Sequence, residues 1–158
     1  MKRLLLFSFS TACFFSAFSQ SNQEDIDMIQ AMYGKEKKEI MADFIIPPDS
    51  AKKIAFWSLY DAYETERKAL GKQRIALLEK YANDYNKTDD KSTDDIMKQT
   101  LALQKSTDGL IASYYEKIRK SVGAIQAGQF YQLESYLLSA IRVHILSNIP
   151  FIGELGRK

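Results

Sequence analysis

From Asp49 to Tyr85 the chain carries no proline, and Phe56, Tyr60, Tyr63, Leu70, Leu77 and Tyr81 recur along it at an alternating spacing of four and three residues. That period puts them on one face of an α-helix; strand side chains would alternate every two residues instead. Asp49 is a good N-cap for such a helix, which would span about 50 Å at 1.5 Å per residue. Its apolar stripe is far too long to be covered locally, so other segments must pack along it. Glu64 and Lys68 form a favourable i,i+4 pair on a neighbouring face.

Three more segments share the helical period. The first runs from about Asp25 to Phe44, with Ile26, Ile29, Tyr33, Ile40 and Phe44 on one face. Gly34 weakens its middle, and Pro47-Pro48 ends it because proline disfavours helical geometry in the residue before it. After the polar stretch Asn86–Asp95, Ser92 or Thr93 is expected to cap a helix that runs to about Val122. Ile96, Thr100, Leu103, Leu110, Tyr114 and Ile118 line one side of it. Gly123 closes that helix. A fourth follows from about Ile125 to Ser147, with Phe130, Leu133, Leu137, Ile141 and Ile145 facing inward. No stretch alternates long enough to argue for a strand. The fold class is all-α: a long antiparallel helical hairpin with flanking N-terminal and C-terminal helices, about four in all. The tail, Ile149-Pro150-Phe151-Ile152-Gly153-Glu154-Leu155, is too apolar for a solvated terminus and is expected to dock.

The first residues read differently. Met1-Lys2-Arg3 precedes an apolar run from Leu4 to Phe18, with small residues at Ala17 and Ser19. This is the layout of a secretory signal peptide over residues 1–19, cleaved before Gln20. The run is short for a membrane span, although retention of residues 4–18 as an anchor is the alternative. Ser10-Thr11-Ala12-Cys13 only faintly resembles a lipoprotein box. Export would leave residues 20–158 as a single helical domain, periplasmic and soluble. Of 22 Lys and Arg, two lie in the leader, which leaves 20 against 20 Asp and Glu. A neutral domain offers no electrostatic footprint for nucleic acid. Cys13, the only cysteine, departs with the leader, so the domain relies on its core rather than on disulfides.

Chemistry-bearing patterns are scarce. His144 is the only histidine; it falls near the inward face of the last helix, with no serine motif beside it, and reads as a partly buried structural residue. Metal sites usually cluster His or Cys. The acids Asp89, Asp90, Asp94 and Asp95 lack calcium-loop spacing and read as helix-capping groups. Glycine-rich phosphate loops are absent. Neither an enzymatic activity nor a cofactor, metal or small-molecule substrate is expected.

Three charges do fall on apolar stripes: Arg67 and Arg74 on the second helix and Glu134 on the fourth. Charges so placed must pair or face a groove. An interhelical ion pair among Arg67, Arg74 and Glu134 is the structural reading, with Glu64 as a second partner for Arg67. A polar floor in a binding concavity is the functional one. All nine tyrosines lie beyond the leader. Tyrosine combines an apolar body with a polar tip and is enriched at interfaces. Tyr60, Tyr63, Tyr81, Tyr114, Tyr115 and Arg67 are therefore candidate protein-binding residues, core packing being the other role their spacing allows.

Phe56-Trp57, Tyr60, Tyr63, Glu66-Arg67, Tyr114-Tyr115, Lys117-Ile118 and Phe130-Tyr131-Gln132-Leu133-Glu134 resemble a group of exported proteins of Gram-negative bacteria, notably Bacteroidetes. More distantly, the layout resembles the Spy/CpxP superfamily of periplasmic proteins. That resemblance implies a long helical hairpin followed by a further helix. It also implies a role as chaperone or as a stress sensor restraining a sensor kinase. The family's two L-T-x-x-Q motifs are replaced here by Pro48-Asp49-Ser50-Ala51-Lys52 and Ser121-Val122-Gly123-Ala124-Ile125-Gln126. The expectation is a periplasmic protein-binding module, chaperone-like or an envelope-stress adaptor. The alternative is an envelope scaffold with one dedicated partner and no chaperone activity. Its partners would be proteins, unfolded clients or an envelope sensor, and a homodimer is one way to cover the long stripe.

Overall fold

The computed structural model describes residues 29, 30, 33–84 and 89–152; the expected leader, residues 1–19, lies outside them. The described residues form helices α1 (Lys37–Phe44), α2 (Ser50–Asp84), α3 (Asp90–Ser121) and α4 (Ala124–Asn148), with no strand among them. The chain is all-α. No described helix is long and apolar enough to cross a membrane.

The ends of the long helices are set locally. Asp49 Oδ1 accepts the Lys52 backbone N–H at 2.8 Å and opens α2 as expected. The cap of α3 lies earlier than Ser92 or Thr93. Asp89 Oδ1 accepts from Ser92 N at 2.7 Å, and Ser92 Oγ accepts from Asp89 N at 3.0 Å. Serine thus takes the part that Glu or Gln plays in a capping box. The Ser92 backbone N–H first, and then the Ser92 side chain, hold the Asp89 carboxyl below its ordinary range. Gly123, at φ 141°, ends α3 and turns the chain into α4; a side chain there would be strained.

α2 and α3 form the long antiparallel hairpin. α4 folds back along α3 and runs parallel to α2, with Tyr63 bonded to Glu134 near its middle and Tyr81 bonded to Pro150 at its end. The first segment departs from the expected single helix. Gly34 adopts φ 68° and its N–H donates to Gln30 O at 2.8 Å, which stops the preceding turn. The chain restarts as α1, where the Glu39 side chain accepts from Glu36 N. Phe44, expected to face inward, is exposed, and Ile45 is buried instead. With Pro47 near, α1 stops at Phe44 and the extended backbone of Ile45 turns that side chain into the core.

Residues 33–46 form an arm laid antiparallel over α2 and α4. The Tyr33 ring lies tilted against Tyr136, Lys38 pairs with Asp61 at 2.5 Å, and Gln126 Nε2 donates to Ile46 O at 3.4 Å. Beneath the arm lie the largest fully buried side chains. Tyr63 meets Phe130 and Tyr114 edge-on, with ring centroids 5.1 and 5.4 Å apart. Phe56, Tyr60, Ile111, Ile118 and Leu137 are buried around them. Each such side chain stabilises the fold by about 1.5–3 kcal/mol.

Candidate functional site

Two features stand out beyond the apolar core: a buried charge cluster under the arm and an open groove beyond it. In the cluster, Lys37 Nζ reaches Glu64 Oε1 at 2.7 Å and Glu134 Oε1 at 2.5 Å. Tyr63 OH donates to the same Glu134 oxygen at 2.6 Å. Arg67 holds Glu64 through Nε at 3.0 Å and Nη2 at 3.1 Å. Glu134 is 0% exposed and Arg67 6%. Burial pushes the Glu64 carboxyl up, but Lys37 and Arg67 outweigh it and hold it at about 2. The Tyr63 hydroxyl is pushed far up, first by burial and then by the Glu134 charge. Two cations thus face two carboxylates, and the Glu64 carboxylate stays ionised near neutrality.

Arg67 engages Glu64, the second partner expected for it, on its own helix, and Glu134 takes Lys37 from the arm. Glu64 spends its acceptors on Lys37 and Arg67 rather than on Lys68. Lys37 was the residue sequence reasoning missed, although a signal was present. It falls four residues after Tyr33 and three before Ile40, on the stripe those residues define, and a cation there needs a buried anion.

The candidate protein-binding tyrosines separate. Tyr60, Tyr63 and Tyr114 are buried in the core, so none offers a surface to a partner of the folded chain. Tyr114 OH donates to Glu66 at 2.6 Å, and burial followed by that bond pushes it up to about 12. Tyr115 is half-buried, edge-on to Tyr131. Tyr81 alone among the five lines the groove, where its hydroxyl donates to Pro150 O at 2.8 Å. That bond docks the start of the tail. Phe151 remains 74% exposed and Ile152 is exposed beside it; residues 153–155 lie outside the described residues. His144 is exposed rather than partly buried. The helix places it on the turn's outer side, between inward Ile141 and Ile145.

The groove itself lies between α2, α3 and α4, in the half of the bundle that the arm described above does not cross. It has a volume of about 420 Å³. Its walls are Leu70, Leu77 and Leu78 from α2, Ile96, Met97 and Leu103 from α3, and Leu138, Ile145 and Leu146 from α4, with residues 149–152 at its outer end. Thr100, Gln104 and Thr107 supply a polar edge, and Arg67, Arg74 and Arg142 bring positive charge. No Asp or Glu lies among the described lining residues. Arg67 therefore belongs to both features, clamped by Glu64 at the groove's inner end. Among the described residues no three His, Cys, Asp or Glu side chains converge. Asp94 pairs with Lys98 at 2.5 Å, and Asp89 caps α3. The arrangement can take up an apolar surface that carries negative charge. Comparison with protein-family models, with curated proteins and with solved structures finds no match.

Proposed function

We propose that this chain is an exported, periplasmic protein-binding module that takes an apolar segment of another protein into the groove between α2, α3 and α4, acting as a chaperone-like or stress-adaptor protein. The observation that carries the reading is the groove itself, an open concavity of about 420 Å³ with apolar walls, arginines and no described carboxylate. Concave apolar sites with a few convergent polar groups are where ligands bind. The groove is rimmed by exposed Met97, Leu146, Phe151 and Ile152, which extend it toward the area a protein contact requires. The leader-like residues 1–19 and the resemblance to the Spy/CpxP superfamily point the same way.

The test is light scattering of an aggregating, unfolded client with and without the protein. Suppression near equimolar ratio, lost when Leu103→Trp fills the groove, is the expected result. Persistent aggregation with a folded protein would sink the chaperone-like role. One observation favours the alternative scaffold: exposed Phe151 and Ile152 beside the docked Pro150 suit a single fixed partner. Affinity capture separates the two readings, since many clients support the first and one stoichiometric partner the second.

A further inference from the structure

Apart from Arg67, which Glu64 neutralises at the inner end, the groove's charge is concentrated at one level. Tyr63 meets Glu134 and Tyr81 meets Pro150, so α4 runs beside α2 with register offsets of 71 and 69 residues. Subtracting those offsets sets Arg142 level with residues 71–73, next to Arg74. Both arginines line the groove. Arg142 is exposed and makes no ion pair among the described residues. Along α2 the lining runs from Arg67 to Tyr81, about 21 Å of helix. Arg74 lies seven residues from either end. On both sides of this level the walls are mainly leucine, isoleucine and methionine, apart from the threonine edge and Arg67, which Glu64 clamps at the inner end.

An occupant that matches this pattern is apolar at both ends and acidic in the middle. Resting on the protein-binding reading above, we infer that the groove's partner is an amphipathic helix of about four turns, from another protein, with one carboxylate midway along its apolar face. The midpoint position makes the match independent of which way the helix runs. A wholly apolar partner would strip water from the Arg142 guanidinium without replacing its hydrogen bonds, and a basic one would add repulsion. A carboxylate answers both costs, and arginine's planar fork can hold it with two parallel bonds.

The experiment uses the full chain and three synthetic leucine-faced helical peptides of about 14 residues. They are identical except for Glu, Gln or Lys at the midpoint, and binding is read by fluorescence anisotropy. The Glu peptide should bind about tenfold more tightly than the Gln peptide, the effect of one charge-assisted hydrogen bond, and the Lys peptide most weakly. Arg142→Gln, at an exposed position, should bring the Glu:Gln ratio to about twofold. Equal binding of all three peptides would overturn the carboxylate inference and leave the protein-binding groove standing. Binding of none would remove that reading, and this inference with it. If dodecanoate displaces the Glu peptide at equal concentration, a free acid is the occupant and the helix inference fails.

Discussion

At the level of Tyr63 the three long helices are closed over by the arm, and at the level of Leu77 the same three helices gape. In the closed half Phe56, Tyr60, Tyr63, Ile118 and Phe130 are all but inaccessible. In the open half Leu70, Leu77, Leu103 and Ile145 occupy equivalent stripe positions and remain half-buried. The periodicity is the same in both halves, so the pattern of apolar residues alone does not decide burial. Side-chain size and the fourth layer do. Aromatic rings from α2, α3 and α4 fill the closed half, and Met41 and Ile45 of the arm cap it. In the open half shorter aliphatic side chains leave about 420 Å³ unfilled.

The sharpest way to break this comparison is truncation in each half. Phe130→Ala removes a fully buried ring and should destabilise the fold by about 4 kcal/mol in urea denaturation. Leu77→Ala in the groove wall should cost only about 1–2 kcal/mol, because the side chain is half-solvated already. Equal losses would mean that the groove is not open in solution.

The charge cluster gives the next largest effects. Glu134→Ala strips Lys37 of one of its two carboxylates and leaves Tyr63 OH without its acceptor, at a cost of about 3 kcal/mol. Glu134→Gln keeps an acceptor oxygen and should lose less, about 1–2 kcal/mol. A Glu134→Ala melting curve that overlays the native one would show that the arm is not held by this contact.

Acid should open the same half. Glu64 has its carboxyl depressed from 4.5 to about 2 by Lys37 and Arg67, in spite of burial. A depressed carboxyl contributes stability that is complete above its unfolded value and is lost as pH falls through the folded one. The window is therefore pH 4.5 down to about 2, and the loss at its lower end is about 2–3 kcal/mol. The difference in melting temperature between native protein and Glu64→Gln, followed from pH 7 to pH 2, should shrink through that window. A difference that stays constant would mean that Glu64 is not the group titrating there.

What could be read from the sequence follows the range of each signal. The hairpin was legible because helical period, Asp49 and Gly123 act within a turn or two of themselves. Gly34 was visible as a weak point, but whether a glycine bends or merely softens a helix depends on what the following residues can dock against, and here Lys37, Ile40 and Met41 dock across α2 and α4. The buried acid at Glu134 was legible as a charge needing a partner. Lys37 was legible only as another charge on an apolar stripe; that the two meet, 97 residues apart, was not, since ion pairing leaves no period. The groove was the least legible feature. Leu138, Arg142 and Ile145 follow helical spacing, but a void depends on which facing side chains are too short to meet, and that is set by the packing of three helices at once.

The smallest predicted effect tests that void directly by adding volume rather than removing it. Ala127 is fully buried beneath the arm's end of the bundle, so Ala127→Leu has to displace packed neighbours and should cost about 1–3 kcal/mol. Thr107 lines the groove and spends its hydroxyl on the Leu103 carbonyl of its own helix. Thr107→Leu removes a β-branched residue from a helix and extends apolar atoms into unoccupied space, so stability should stay within about 0.5 kcal/mol of native. The same substitution narrows the site a partner helix would enter. Unchanged stability combined with weakened peptide binding is therefore the outcome that an open, functional groove requires. A loss of stability as large as that of Ala127→Leu would mean that the two halves are packed alike.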